Sequence, residues 1–268
     1  MDRHSMSEIL LPTIPATLRK INLVAEDFDF PSETTPSRFY AIATTQRSGS
    51  SFMACKLWET GVMGAPQEYF NFNETMITLI SRLGVDSLHN YVDKLLKIRT
   101  SSNGVFGMKI FPEHLQFILL GGIYPFFPDM RYVFLTRKDI VAQAVSYAKA
   151  VQTGEWSSHT EAQAEAKYDY IIIGTCVNKI MQGNAFWNNF FRKNNINPIH
   201  ITYEDIVTDH DTVTKKIMGA LEIAPDESAL LEIPSISKQT DNINLQWKEK
   251  FCSELKKKQP KLAEQICT

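Results

Sequence analysis

The sequence predicts an α/β fold, a three-layer domain with a central, mostly parallel sheet flanked by helices. Two observations predict it. Apolar runs of strand length recur along the chain, and each is followed by a stretch with helical periodicity, the alternation that builds a parallel sheet. The composition is that of an ordinary globular chain, with 44% hydrophobic and 22% charged residues among 268. A chain of this length can bury a core that needs no disulfide or metal staple.

Residues 1–37 are expected to form an entry arm, with Pro31 and Pro36 around a Ser/Thr/Glu cluster. Met1 to Ser5 are set aside as an expression remnant, with Met6 taken as the natural start. Residues 38–268 are expected to form a single domain. Phe39 to Thr44 is a short apolar run and reads as the first buried strand. Ser50 to Thr60 reads as a helix stopped by Gly61. Gly104 to Ile110 is the second strand. Pro112 can start the next helix, because its missing N–H is not needed at the first helical position, and Gly121-Gly122 ends it. Arg131 to Thr136 is the third strand. The helix after it, from about Lys138 to Gln152, has an apolar stripe of Ile140, Val141, Ala144, Val145, Ala148 and Val151. A long helical pattern runs from about Glu161 into the 190s, with Tyr168, Ile172, Cys176, Ile180, Gly183, Trp187 and Phe190 on one face. Pro198 to Thr202 is the fourth strand, and Thr208 to Leu221 a further helix. The Lys256-Lys257-Lys258 run reads as a solvated helix face.

The net charge of -2 excludes a basic nucleic-acid-binding domain. The four cysteines, Cys55, Cys176, Cys252 and Cys267, form no C-x-x-C pair and no zinc-ligand spacing, so free thiols in a reducing compartment are expected. No secretory signal is read at the N-terminus, since Pro12 and Pro15 interrupt the apolar Ile9-Leu10-Leu11. No segment reaches the ~20 apolar residues that cross a bilayer. A cytoplasmic protein without a metal is the expectation.

Ligands of open parallel sheets bind beyond the carboxyl ends of the strands, so the loops after the strands are where chemistry is expected. After the first strand come Thr45, Gln46, Arg47, Ser48, Gly49, Ser50 and Ser51. Small and hydroxyl residues let backbone N–H groups converge on an anion, and the following helix adds its positive end. Arg47 contributes a permanent charge with a planar fork of donors. An ordinary Ser-capped helix start accounts for the same residues equally well. A nucleoside-triphosphate P-loop requires a Lys after the second Gly, and none follows Gly49. The third strand ends in Thr136-Arg137, where a magnesium-binding Asp would be needed. A phosphate-shaped cradle without metal equipment suits a sulfuryl group, which is formally neutral in flight. Arg137 and Ser146 form a pair able to grip a second phosphate; as single residues they are a strand-end Arg and a surface Ser. Glu68, in Pro66-Gln67-Glu68-Tyr69-Phe70, is a carboxylate placed for proton abstraction or an exposed turn residue.

Taken together, four segments resemble the trehalose 2-sulfotransferase-like family of bacterial carbohydrate sulfotransferases. They are Thr45 to Ser51, Gly61 to Phe70, Gly104 to Lys109, and Arg137 to Ser146 running on to Ala150-Val151-Gln152-Thr153-Gly154-Glu155-Trp156. A fainter likeness continues through Tyr203-Glu204-Asp205 to Trp247. The resemblance implies 3′-phosphoadenosine-5′-phosphosulfate (PAPS) as donor. It implies that Gln46, Arg47, Ser48, Gly49, Ser50 and Ser51 bind its 5′-phosphosulfate, and that Arg137 and Ser146 hold its 3′-phosphate. Glu68 is implied as general base, with Arg47 and Lys109 assisting. Trp247 is implied as part of a segment, Lys238 to Phe251, that folds over the donor. A homodimer is implied as well. The stretch Ile110 to His114 does not match the family pattern, so trehalose itself is not implied, only a hydroxyl-bearing sugar or glycolipid. A nucleotide-dependent kinase and a non-catalytic nucleotide- or sugar-binding module are the alternatives.

Overall fold

The computed structural model describes residues 26–72, 75–156, 164–231 and 242–267. Four strands, β1 (Arg38–Ala43), β2 (Val105–Ile110), β3 (Arg131–Thr136) and β4 (Ile199–Thr202), form one sheet in the order β2-β1-β3-β4. Every pairing is parallel, with Ala41 opposite Met108, Ala43 opposite Phe134, and Leu135 opposite Ile201. The chain therefore leaves β1 towards one edge and later returns to its other side. That reversal opens a crevice between the carboxyl ends of β1 and β3, the place where such sheets take ligands.

The helices are α1 (Ser50–Glu59), α2 (Thr75–Leu83), α3 (Leu88–Arg99), α4 (Pro112–Leu120) and α5 (Ile140–Thr153). They continue with α6 (Tyr170–Lys193), α7 (Tyr203–Thr208), α8 (His210–Ala220), α9 (Asn242–Lys258) and α10 (Pro260–Ile266). Alternation along β1 divides the core. Phe39, Ala41 and Ala43 face a cluster built from α2, α3, α4 and the Trp187 end of α6. Tyr40 and Ile42 face the opposite cluster, from α1, α7 and α8. Side chains of a strand point to opposite faces in turn, so the expected three layers follow from that period. A third cluster joins α5, α6, α9 and α10 into a helical lobe beside the sheet.

Several local readings shift. Helices α2 and α3 were not anticipated, and α7 precedes α8 as a separate turn capped by Thr202. The buried face of α6 runs through Ile173, Cys176, Val177, Ile180, Gly183, Trp187 and Phe191. Ile172 and Phe190 thus sit one position off the expected stripe. Val151, counted in the stripe of α5, is 51% exposed. That helix ends two residues later at Thr153, with Gly154 as its left-handed cap, and its last turn buries Ala150 and Thr153 instead.

The expectation of four free thiols is corrected: Cys252 of α9 and Cys267 after α10 form a disulfide, while Cys55 and Cys176 are free. The two partners lie 15 residues apart, a distance bridged by an antiparallel helix hairpin that no short cysteine motif announces. The described end of the entry arm is pinned to the domain, with Asp29 paired to both Arg82 and buried Arg99. The long helix expected from about Glu161 begins only at Tyr170, capped by Asp169 whose side chain accepts from the Ile171 and Ile172 N–H groups, so Tyr168 precedes it. The arm through residue 25, residues 157–163, and the beginning of the Lys238 to Phe251 segment lie outside the described residues. No helix among the described residues is long and apolar enough to cross a membrane.

Candidate functional site

The loop after β1 is shaped by hydrogen bonds that use up its hydroxyls. Thr44 Oγ1 donates to the Leu135 carbonyl on β3 at 2.7 Å. Its single proton is thereby committed, so Ser48 is the donor in the 2.7 Å contact between Ser48 Oγ and Thr44 Oγ1. Trp187 Nε1 of α6 donates to the Thr44 carbonyl at 2.8 Å. Arg47 and Gly49 both take positive φ, 63° and 86°, which turns the chain sharply into α1. The first N–H groups of any helix lack intrahelical acceptors, and here they belong to Ser50, Ser51 and Phe52. The seven-residue stretch thus delivers a helix N-terminus directly beyond the sheet, an anion-binding geometry.

Helix α5 braces this loop. Gln143, fully buried, donates from Nε2 to Thr45 Oγ1 at 3.0 Å and to the Gln46 carbonyl at 2.7 Å. One turn later, Ser146 Oγ accepts from Arg47 Nε at 3.0 Å. Arg47 also donates to the carbonyl of Trp156, just after α5. Gln46 Nε2 donates to Glu113 of α4 at 2.7 Å. Burial lowers the pKa of Arg47, and the charge of Arg137 lowers it further, against an opposing effect of Glu155. Arg47 thus lies within the field of both a carboxylate, Glu155, and a second guanidinium, Arg137.

A second group assembles across β2. Gln67 bridges to Met108 on the outer edge of β2, and the Lys109 N–H donates to the Gln67 carbonyl at 2.9 Å. This brings Glu68 alongside Lys109, whose Nζ lies 2.7 Å from Glu68 Oε1 and 2.9 Å from Ser51 Oγ. Lys109 is only 1% exposed. Asn71 Nδ2 donates to the other carboxylate oxygen of Glu68 at 2.8 Å. Burial pushes the Glu68 pKa up, but the charge and hydrogen bond of Lys109, with His114 and Asn71, hold it below the usual glutamate value. His114 on α4 is buried, and burial pushes its pKa down although Glu68 and Glu113 oppose this. Its Nδ1 accepts from the Phe111 N–H at 3.3 Å, so the neutral ring carries its proton on Nε2.

Arg137, after β3, lies with its guanidinium 4.3 Å from the centre of the Tyr203 ring. Trp247 is remote from this framework in its contacts: 8% exposed, it packs in the helical lobe with its ring edge-on to Tyr168 at 6.0 Å. Its neighbour Lys248 reaches Asp139, the N-cap of α5, at 2.7 Å.

The structure thus brings Arg47 and Ser146 into direct contact, and Lys109 into contact with Glu68 and Ser51. Sequence reasoning missed Gln143, Asn71, His114 and Tyr203. Gln143 lies three residues before Ser146, a spacing that shares a helix face, and that was a usable signal. Tyr203 stood in the fainter likeness without a role, because its partners come from distant loops. Among the described residues no three His, Cys, Asp or Glu side chains group into a metal site.

The family model described as Stf0 sulphotransferase matches residues 39–254. Two curated relatives are both named trehalose 2-sulfotransferase. The one from Mycobacterium tuberculosis is 25% identical over 259 residues, covering 81% of this chain and 95% of the relative. The one from Mycolicibacterium smegmatis is 24% identical over 252 residues, covering 79% and 93%. A solved sulfotransferase from Alicyclobacillus acidocaldarius aligns with 14% identity and a TM-score of 0.47 over 87% of this chain and 96% of its own. That likeness is too distant to carry weight.

Proposed function

Because the chain belongs to the Stf0 sulphotransferase family, we propose that it moves a sulfuryl group from PAPS to a hydroxyl of a carbohydrate or glycolipid acceptor. The observation that carries this reading is the position of Lys109. Its ammonium touches both Ser51 at the mouth of the anion loop and the carboxylate of Glu68. A donor held by the loop and an acceptor held by Glu68 would therefore meet at one cation.

The donor's chemistry fits the residues present. Its 5′-phosphosulfate calls for a helix N-terminus, supplied at Ser50 and Ser51, and for the charge of Arg47. Its 3′-phosphate calls for a second fork, supplied by Arg137, with Ser146 alongside through Arg47. In this reading Glu68 removes the proton from the acceptor hydroxyl. That oxygen forms the new bond to sulfur as the bond to the bridging oxygen breaks, and adenosine 3′,5′-bisphosphate departs with the negative charge. Arg47 and Lys109 stabilise the charge on the bridging oxygen, an electrostatic preorganisation that needs no metal. Ser48 contributes through its backbone, since its hydroxyl is engaged within the loop. Trp247 belongs to the reading through its helix α9, which packs with α5.

Both curated relatives are named for trehalose, so trehalose is the first acceptor to offer. The decisive experiment incubates the protein with PAPS and a panel of sugars and glycolipids and follows sulfated product by mass spectrometry. Thermal shift with adenosine 3′,5′-bisphosphate and with ATP accompanies it. Sulfated product and a shift with the bisphosphate alone are expected; a magnesium-dependent shift with ATP and no sulfation would overturn the proposal in favour of a kinase. A cytoplasmic homodimer remains part of the reading. The Cys252–Cys267 bond weighs against the location, since disulfides persist in oxidising compartments.

A further inference from the structure

Tyr203 lies between the two halves of the anion site. It is the first residue of α7, at the carboxyl end of β4. One side of its ring abuts Gly49, so closely that a Cβ on Gly49 would come within 2.5 Å of Tyr203 Cδ2. The same ring carries the Arg137 guanidinium at 4.3 Å. Its position is set by its neighbours. Glu204 accepts from the backbone N–H groups of Lys138 at 3.1 Å and Asp139 at 3.4 Å, which clips the start of α7 to the turn that holds Arg137. Thr202 and Asp205 complete a reciprocal cap at the same point.

A guanidinium held against an aromatic ring can still present its N–H groups to a phosphate, as a bidentate grip requires. The Nε of Arg137 is buried and has no hydrogen-bond partner among the described residues. Burying a donor unpaired is costly, and an anion accepting from it would remove that cost. On the proposed donor reading, Gly49 belongs to the loop for the 5′-phosphosulfate and Arg137 answers the 3′-phosphate. The Tyr203 ring holds the spacing between them.

We infer that Tyr203 is a positioning residue that makes the site select a nucleotide carrying both a 3′- and a 5′-phosphate over one with the 5′-phosphate alone. The inference rests on the proposed donor, and goes beyond it by assigning the discrimination to a residue that touches neither phosphate. It also explains why position 49 must be glycine twice over, once for its φ of 86° and once for the ring against it.

Calorimetry with adenosine 3′,5′-bisphosphate and adenosine 5′-monophosphate reads this directly. The wild-type protein should prefer the bisphosphate by roughly 10- to 100-fold, the span expected of a charge-assisted pair. Tyr203→Leu should lose roughly three- to tenfold of that ratio, as a cation–π contact between half-buried groups implies, with little change in monophosphate affinity. Tyr203→Phe should keep the ratio. In an Arg137→Gln background, Tyr203→Leu should change the ratio no further. If Tyr203→Leu does not fold, Tyr203→Met carries the same comparison. A ratio left intact in the Leu or Met variant, even with both affinities lowered together, would reduce Tyr203 to a structural residue and overturn the inference alone. A wild-type protein that binds both nucleotides equally would instead overturn the donor reading, and this inference with it.

Discussion

In the proposed reaction Lys109 is the residue on which the chemistry turns, because one buried ammonium answers to two partners. Its salt bridge keeps Glu68 ionised, and an ionised Glu68 can accept a proton from an acceptor hydroxyl. General-base assistance is typically worth about 10²–10⁴-fold. Glu68→Gln should therefore lower turnover by roughly that factor while calorimetric affinity for adenosine 3′,5′-bisphosphate stays near wild type; near-normal turnover would remove Glu68 from the role. The same pair has a pH signature. Glu68 has a pKa below its ordinary 4.5 in the folded protein, so unfolding raises it. Its contribution to stability is then fully present above the unfolded value and is lost as pH falls through the folded one. The thermal midpoint of wild type should fall more steeply than that of Glu68→Gln as pH drops below about 4.5. Parallel curves would show that the pair does not contribute in this way.

Helix α5 is the element that holds the site in shape. Its inner face presents Gln143 and Ser146 to three consecutive loop residues, Thr45, Gln46 and Arg47. Its start is fixed by Asp139, which accepts from the Ala142 N–H at 2.9 Å and from Lys248 of α9 at 2.7 Å. Removing a cap of this kind costs about 1 kcal/mol. Asp139→Ala should lower stability by at least that amount in denaturant titration, and Asp139→Asn, which keeps a capping oxygen but loses the ion pair, by less. Equal losses in the two variants would mean that the ion pair with Lys248, and not the cap, is what α5 depends on. Element α4 plays a smaller part, with Pro112 opening it and His114 reaching back to the Phe111 N–H.

At the scale of the whole molecule, the sheet with its two covering layers carries the site, and the lobe of α5, α6, α9 and α10 stands behind it. The Cys252–Cys267 bond ties α10 to α9 across 15 residues. Closing a loop of that size is worth about 3 kcal/mol on a chain-entropy basis. Addition of reductant, or Cys252→Ser, should lower the thermal midpoint measurably. An unchanged midpoint would show that Phe251, Leu255, Ala263 and Ile266 hold the two helices together by packing alone.

By itself the sequence determined the strands, the helices between them, and the turn from Thr45 to Ser51 that leads from the first strand into a helix. Those features are local: an apolar run, a period, a glycine before a serine helix start. The roles proposed for Glu68 and Arg137 came from the likeness of several segments taken together, while each alone read as an ordinary turn or strand-end residue. Only the tertiary structure decided the strand order, and with it which loops share a crevice. It paired Lys109 with Ser51, 58 residues away in the chain, and joined Cys252 to Cys267, which composition had read as free thiols. It set Tyr203 against Gly49 and Arg137. The physical reason is the same in each case. A side chain's period reports which face it is on, but its partner across a crevice is chosen by how distant elements pack, and no local pattern records that choice.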